Sequence, residues 1–468
     1  MYYTRIIDHY LAEWASQGSH KPLLLRGARQ VGKSTAVRHL AESFDNFVEI
    51  NFEKQTSYQL LFNGDIDVLK IVPQIEAIAS KKIIPGKTLL FFDEIQACPK
   101  AIESLRYFKE DMPTLHVVAA GSLLEFALDE LPTFGVGRIH SMFMFPMTFD
   151  EFLVANGEQI LLNARNDASS NNPLPELLYH KLIGLMRTFL LVGGMPEAVA
   201  KWVETHDYLA CQEVQDDIVV SYEDDFSKYK KKVEPALLRQ TLRSAAVQIT
   251  KKFVYSMVAS GNKTAEVKKA LEMLIKAGLL IPVTHTDANG LPLGSESDMS
   301  YRKMLLLDTG LCLRILNMST GDISELTTKI LTDDISNLVK KGPMAEMVAG
   351  LELLHYRTPN IRHELFYWMR QAKNSQAEVD YMTSYKQAVL PIEVKAGTQG
   401  GMKSLWILMR EKGLRKAVRT SLENFGTFDY IDEEANGAAR HVVICPLFAI
   451  SQINKLLDTD SPSQAETK

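Results

Sequence analysis

Eight residues, Gly27-Ala28-Arg29-Gln30-Val31-Gly32-Lys33-Ser34, constrain this chain more than any other stretch. They fit the pattern G-x-x-x-x-G-K-[ST]. The apolar run Leu23-Leu24-Leu25 precedes them, and a helix-forming stretch from Thr35 to Ser43 follows. A buried strand, a glycine-rich turn and a helix N-terminus in that order let the backbone wrap closely around an anion, with N–H groups and the helix end pointing at it. In such a loop Lys33 reaches the β- and γ-phosphates, the Ser34 hydroxyl ligates Mg²⁺, and Thr35 completes the cradle. A glycine-rich turn without a ligand is the alternative, and the full spacing with both flanks argues against it. The stretch reads as a nucleoside-triphosphate site.

At 468 residues the chain exceeds a single ordinary core, so several domains are expected. Apolar content of 46% and charged content of 23% are those of a soluble globular protein, and a net charge of −5 does not suggest a wholesale nucleic-acid binder while leaving room for a local basic patch. Cys98, Cys211, Cys312 and Cys445 are far apart, which excludes a cysteine zinc cluster and suggests no disulfide framework. The first residues lack a signal-peptide apolar core and no apolar run approaches a membrane span, so a cytoplasmic protein without membrane contact is expected.

Residues 1–20 read as an amphipathic helix with Ile6, Tyr10, Leu11 and Trp14 on one face. After the loop, Phe47 to Phe52 reads as a second strand, and Thr88 to Asp93 as a strand covered on both faces. That strand ends in Asp93-Glu94, which fits a Walker B element: Asp93 holds Mg²⁺ and Glu94 polarises the attacking water. A carboxylate pair at an exposed strand end is the alternative. Leu115 to Ala120 forms the next strand, closed by Gly121-Ser122. Ser122 reads as a sensor of the γ-phosphate, or otherwise as a helix cap. Gly135-Val136-Gly137-Arg138 leads into a strand from Ile139 to Phe145. Arg138 is either a finger acting on a neighbour's nucleotide or a surface salt-bridge arginine.

The phosphate loop, Asp93-Glu94-Ile95-Gln96, Ala120-Gly121-Ser122, Gly137-Arg138 and Phe145-Pro146-Met147-Thr148 together resemble the prokaryotic AAA+-type ATPases with a fused C-terminal domain of unknown function. Gly193-Gly194-Met195-Pro196 and Leu307-Asp308-Thr309-Gly310 extend the resemblance over nearly the whole chain. It implies a doubly wound parallel-sheet core, a helical lid, and ATP as ligand. The lid region shows no clear second sensor arginine, which leaves ring assembly and oligomeric state open.

Residues 1–149 are therefore expected to be the P-loop core and 150–226 the helical lid. Within the lid, Asn166 to Pro173 is a loop, and the Gly193–Pro196 turn connects two helices. Residues 227–315 read as a winged helix: a helix from Pro235 to Ile249, a second from about Lys263, then strands from Leu279 to Thr286 and Lys303 to Leu307. Lys228 to Lys276 holds 12 Lys/Arg against Glu234, Glu266 and Glu272, a local excess of +9. Lys263, Lys268 and Lys269 could meet duplex-DNA phosphates, or the unit packs only internally behind a solvated basic face. No aromatic interleaving suggests single-strand stacking.

Residues 316–457 read as an α/β domain: helices over 323–356, strands at Glu364–Arg370, Ala377–Thr383 and Ala388–Ala396, a helix from Met402 to Lys412, then strands at Lys416–Thr420 and His441–Cys445. Residues 458–468 read as a disordered tail. Side-chain alternation puts Glu393 and Lys395 on one strand face, with Asp380 on the adjacent strand and Glu346 one helix earlier. Carboxylates with a lysine suit a second Mg²⁺ or Mn²⁺ and water activation at a phosphodiester. The arrangement resembles the PD-(D/E)XK nuclease superfamily, with a restriction-endonuclease-like fold. Such folds also serve as protein-interaction modules, so two functions stay open: an ATPase coupled to DNA processing, or an ATP-driven regulatory or scaffold switch.

Overall fold

The computed structural model describes residues 2–122, 124–130, 137–230, 232–258, 263–316, 342–371, 377–395 and 401–460. Gly135, Val136, the expected helical stretch 323–341 and the tail beyond residue 460 lie outside the described residues.

Five strands, β1 (Leu23–Arg26), β2 (Asn46–Asn51), β3 (Thr88–Asp93), β4 (His116–Ala120) and β5 (His140–Phe143), form one all-parallel sheet in the order β2-β3-β4-β1-β5. Its central strands read as unbroken apolar runs because both faces are covered. Leu23, Leu25, Leu89, Phe91, Val118 and Ala120 enter one core, while Leu24, Leu90, Phe92, Val117 and Ala119 enter the other. The two-residue period of a strand thus divides one apolar run between two helical layers. Helices Lys33–Ala41 and Pro99–Asp111 are among those covering it. The first helix, Ile6–Ser16, is shorter than the sequence suggests and buries Ile7, Leu11 and Trp14.

Five helices follow: Phe149–Ala155, Gln159–Asp167, Glu176–Val192, Pro196–Thr205 and Tyr208–Asp225. Helices Pro235–Val247 and Thr264–Lys276 come next, the second ending at Gly278 with φ +75°. They lead into an antiparallel hairpin, β6 (Leu280–Thr286) and β7 (Ser297–Leu306). The second strand starts at Ser297, earlier than the expected Lys303, so the connection between the two strands is shorter than expected.

The hairpin is not a separate wing. The strand β8 (Leu365–Met369) pairs parallel to β6 through Val283↔Leu365, Thr284↔Phe366 and His285↔Tyr367. With β9 (Glu378–Tyr385), β10 (Ala388–Val394), β11 (Lys416–Ser421), β12 (Gly426–Asp432) and β13 (Ala438–Pro446), it makes one mixed eight-stranded sheet. The order is β12-β13-β11-β10-β9-β8-β6-β7, so residues on both sides of position 316 share one sheet. Helix Pro343–His355 packs with Leu390, Ile392, Val418 and Val443 on one face, and helix Lys403–Glu411 with Val379, Ala417 and Val442 on the other. All four cysteines are free and buried. Among the described residues no helix is long and apolar enough to cross a membrane.

Candidate functional site

The strand–loop–helix unit predicted around Lys33 is present. Gly27 has φ +145°, and a Cβ there would fall 2.1 Å from the Met144 carbonyl oxygen; Gly32 has φ +97° and precedes the helix. Both positions demand glycine. The Lys33 ammonium donates to the Gly27 and Ala28 carbonyls at 2.9 and 2.7 Å. Burial pushes it down to about 8, against the opposing pull of Glu94 and Asp93.

Asp93, at the end of β3, accepts from Ser34 Oγ at 2.9 Å and from Asn51 Nδ2 at 3.0 Å. Burial raises its carboxyl above the ordinary value, with Ser34 opposing. A hydroxyl beside a buried carboxylate is a hard oxygen donor set, and it fits Mg²⁺. Glu94 sits in the left-handed region at φ +48°, uncommon for a residue with a side chain. Its Oε2 accepts from Gln96 Nε2 at 2.6 Å and from Ser122 Oγ and N at 3.3 and 3.4 Å. A Cβ at Gly121 would lie 2.0 Å from Gln96 Oε1, so the glycine before Ser122 makes room for the residue that holds Glu94.

These groups converge on a cavity of about 360 Å³ lined by Arg29, Gln30, Gly32, Lys33, Ser34, Thr35, Asp93, Glu94 and Ser122. Ala28 and Val31 are buried beneath the loop. Arg138 is not among the lining residues; it is exposed and ion-paired with Glu110. The fold does not bring it to this chain's own phosphate loop.

Several contributors carry no sequence motif of their own. Tyr2, Tyr3, Arg5, Met144, Met147, Pro196, Glu197 and Ala200 also line the cavity. Arg5 donates to the Val31 and Phe145 carbonyls at 3.0 and 2.8 Å and pairs with Glu151 at 3.0 Å. The Gly193–Pro196 turn, read from sequence as a connection, is clamped beside the cavity. Met147 N donates to the Gly194 carbonyl at 2.6 Å, and Gly194 N donates to Asp308 Oδ2 at 2.6 Å. Asp308 is buried, caps helix Thr309–Ile315 through Leu311 N at 2.9 Å, and is pushed up to about 6 by burial against its backbone donors. Three of the segments that carried the family resemblance therefore meet at one point. The loop is gripped from the far side too: Tyr222 Oη donates to the Arg29 carbonyl at 2.7 Å, Arg29 pairs with Asp225, and Gly278 packs against Ala28.

The four residues expected in the C-terminal segment lie close together. Glu393 is buried on β10, with Oε1 2.5 Å from Lys395 Nζ and Oε2 without a hydrogen-bond partner. Val394 is buried as well, so this strand is covered on both faces. Asp380 Oδ2 accepts from Val394 N at 2.7 Å, and Tyr381 Oη donates to the Glu346 carbonyl at 2.7 Å. Burial raises the carboxyls of Glu346, Asp380 and Glu393, with Asp380 raising the other two further. Sequence reasoning missed two members. Lys303 of β7 reaches in from the hairpin, 2.8 Å from Glu346 and 2.5 Å from Glu378. Among the described residues no three such side chains are placed to hold a metal ion together.

Lys263, Lys268 and Lys269 are exposed on helix Thr264–Lys276 or at its start. The fold also supplies aromatics that the linear sequence does not: Lys268 lies over the Tyr255 ring at 5.5 Å and Lys252 over Tyr301 at 3.5 Å.

Fold and loop define an ATP-binding P-loop ATPase domain of the AAA type. In agreement, residues 19–153 match the family model described as an AAA domain. Residues 183–322 match a domain of unknown function (DUF8612), and 341–434 match another (DUF4143). A comparison with curated proteins found no match. Among solved structures, a Walker-type ATPase of Pyrococcus abyssi aligns at 14% identity over 68% of this chain and 96% of that one, with TM-score 0.42. The Aeropyrum pernix ORC1 protein, solved in complex with DNA, aligns at 12% over 69% and 94%, TM-score 0.31. Cdc6p of Pyrobaculum aerophilum aligns at 14% over 70% and 93%, TM-score 0.24. Likeness this loose transfers no function.

Proposed function

We propose that the chain hydrolyses ATP with Mg²⁺ and uses the nucleotide state to set the arrangement of its second sheet. The observation that carries the ATPase reading is the convergence of Lys33, Ser34, Asp93, Glu94 and Ser122 on one cavity. Lys33 and the loop N–H groups bind the phosphates. Ser34 and Asp93 hold Mg²⁺, which neutralises phosphate charge when bound. Glu94 orients and deprotonates the attacking water, held in place by Gln96 and Ser122. Arg138 of a neighbouring copy supplies a finger only if the chains assemble. Phosphate release tests this: Glu94→Gln retains ATP binding and loses turnover by about 10²–10⁴-fold, the usual worth of a general base. Unchanged turnover would remove Glu94 from that role.

The coupling rests on contacts. The turn at the nucleotide cavity is bonded to Asp308, two residues beyond β7, and β7 carries Lys303 into the Glu346–Asp380–Glu393 cluster. Residues 150–226 act as the lid; helix Thr264–Lys276 presents its basic face to duplex DNA, while the hairpin that follows it belongs to the second sheet. The PD-(D/E)XK-like unit then comprises the strands after position 316 together with the β6–β7 hairpin that completes their sheet. A protein-binding switch is the second reading, favoured by the lysines that occupy the carboxylate cluster.

A further inference from the structure

Arg5 has no place in the motifs that define the phosphate loop, yet its side chain ends on the loop and on the segments beside it. That side chain is buried, at 6% exposure. Nη1 donates to the Val31 carbonyl at 3.0 Å and Nη2 to the Phe145 carbonyl at 2.8 Å, while Nε faces Glu151 Oε1 at 3.0 Å. A Cβ placed on Gly32 would lie 3.5 Å from Nη1, so the guanidinium sits against the last glycine of the loop.

The Val31 contact fixes a direction. The Val31–Gly32 peptide is planar and trans, so its carbonyl and its N–H point to opposite sides. Tying the carbonyl to Arg5 leaves the Gly32 N–H facing the other way; Val31 is fully buried, whereas Gly32 lines the nucleotide cavity. That N–H belongs to the set that cradles phosphate. Gly32, at φ +97°, has no Cβ to restrict this peptide, so an outside donor is what keeps it from turning. Glu151 in turn aims the guanidinium. Its Oε1 also accepts from Ile6 N at 2.5 Å and its Oε2 from Thr148 N at 2.8 Å, closing the capping box of helix Phe149–Ala155. At the other end, Arg5 N donates to Asp8 Oδ2 at 2.7 Å where helix Ile6–Ser16 begins. Both ends of the Arg5 side chain are thus fixed before any ligand arrives, as a preorganised anion cradle requires.

We propose that Arg5, aimed by Glu151, is a positioning residue of the nucleotide site: it holds the Val31–Gly32 peptide so that the Gly32 N–H stays ready for a phosphate oxygen. The proposal deepens the ATPase reading above and rests on it. A hydrogen bond to a charged phosphate is worth about 10–100-fold in affinity, and this one is made in the ground state and the transition state alike. Loss of Arg5 therefore acts on KM more than on kcat. It also acts equally on every ligand that the loop holds by phosphate, with or without a base. Arg5 itself reaches the cavity wall, so direct contact with the nucleoside is the competing explanation to be separated.

Arg5→Gln tests this, with Mg-ATP and Mg-tripolyphosphate binding measured by calorimetry on Glu94→Gln and turnover measured with Glu94 intact. The expected result is a Kd raised about 10–100-fold for both ligands at unchanged stoichiometry, and a KM raised by a similar factor with kcat within about threefold. Arg5→Lys keeps a cation beside Glu151 but cannot serve both carbonyls. It should weaken both ligands in the same direction, and it stands in if the Gln variant does not fold. Weaker ATP binding with unchanged tripolyphosphate binding would overturn the proposal by placing Arg5 on the base or ribose. A lower kcat or stoichiometry with KM and Kd unchanged would overturn it too, by reducing Arg5 to support of the fold, and so would no change at all. No measurable binding by the Glu94→Gln parent, or binding that survives Lys33→Ala, would instead bring down the phosphate-loop reading, and the proposal with it.

Discussion

Removing the Lys303 charge should destabilise the second sheet, and more so as pH rises. The ammonium sits 2.8 Å from Glu346 and 2.5 Å from Glu378 at 1% exposure. Breaking a buried pair from one side costs about 3–5 kcal/mol, because the abandoned charge stays buried. In Lys303→Met, four carboxylates would face Lys395 alone. The pH dependence follows from their raised values. Burial lifts Glu346, Asp380 and Glu393 above the ordinary range, and losing Lys303 removes an influence that lowers all three. Carboxyls with raised folded values bind more protons folded than unfolded, so stability falls as pH climbs from the ordinary carboxyl value through the raised one. Glu346 and Glu393 are pushed up to about 8 even beside Lys303, so the deficit should be small at pH 5.5, where protons replace the lysine charge, and approach ~3–5 kcal/mol only above those values, by about pH 9.5. Urea unfolding followed by near-ultraviolet dichroism at both pH values measures it. A loss below about 1 kcal/mol at pH 9.5, or one that shrinks as pH rises, would refute the reasoning.

Burial pushes Lys33 down to about 8, so above that pH the free loop must take up a proton to bind ATP. Affinity for Mg-ATP should therefore fall by up to about tenfold per pH unit above 8, read by calorimetry on Glu94→Gln; a flat profile to pH 9.5 would contradict it. The same shift makes the ATP-free protein more stable as pH rises from 8 towards 10.5, because the unfolded chain binds the extra proton there. Asp308→Ala strands the buried N–H groups of Gly194 and Leu311 and should cost about 2–4 kcal/mol, measured in the same urea experiment. Charge reversal at Lys268 and Lys269 should abolish salt-dependent duplex binding if the basic helix grips DNA; binding that ignores both changes and salt would favour the protein-switch reading.

The sequence was most legible where one physical signal dominated. The apolar runs of β1, β3 and β4 stand out because both faces are buried, and the phosphate loop because anion binding dictates its glycines. Glu393 and Lys395 could be put on one face because strand alternation is local, with Asp380 on the adjacent strand, while Glu346 came only from its place one helix earlier. The pairing of β6 with β8 was not legible, since it joins strands far apart in the chain, and without it Lys303 is only one lysine among many. The Gly193–Pro196 turn looks like a helix connection until Asp308 and Met147 are seen to bond it beside the cavity. The strand β12 did carry a signal: Gly426, Phe428 and Tyr430 are half-buried between exposed neighbours, the alternation of an edge strand with one covered face.

The coupling between nucleotide and second sheet is most directly tested by hydrogen exchange on Glu94→Gln loaded with Mg-ATP or with ADP. The two states should differ not only around Gly27–Thr35 and Glu94 but also at Gly193–Glu197, along Ser297–Leu306 and at Glu378–Val394, and Asp308→Ala should erase the distant differences. Differences confined to the phosphate loop and its immediate neighbours would contradict the account and leave an ATPase whose second sheet does not respond to it.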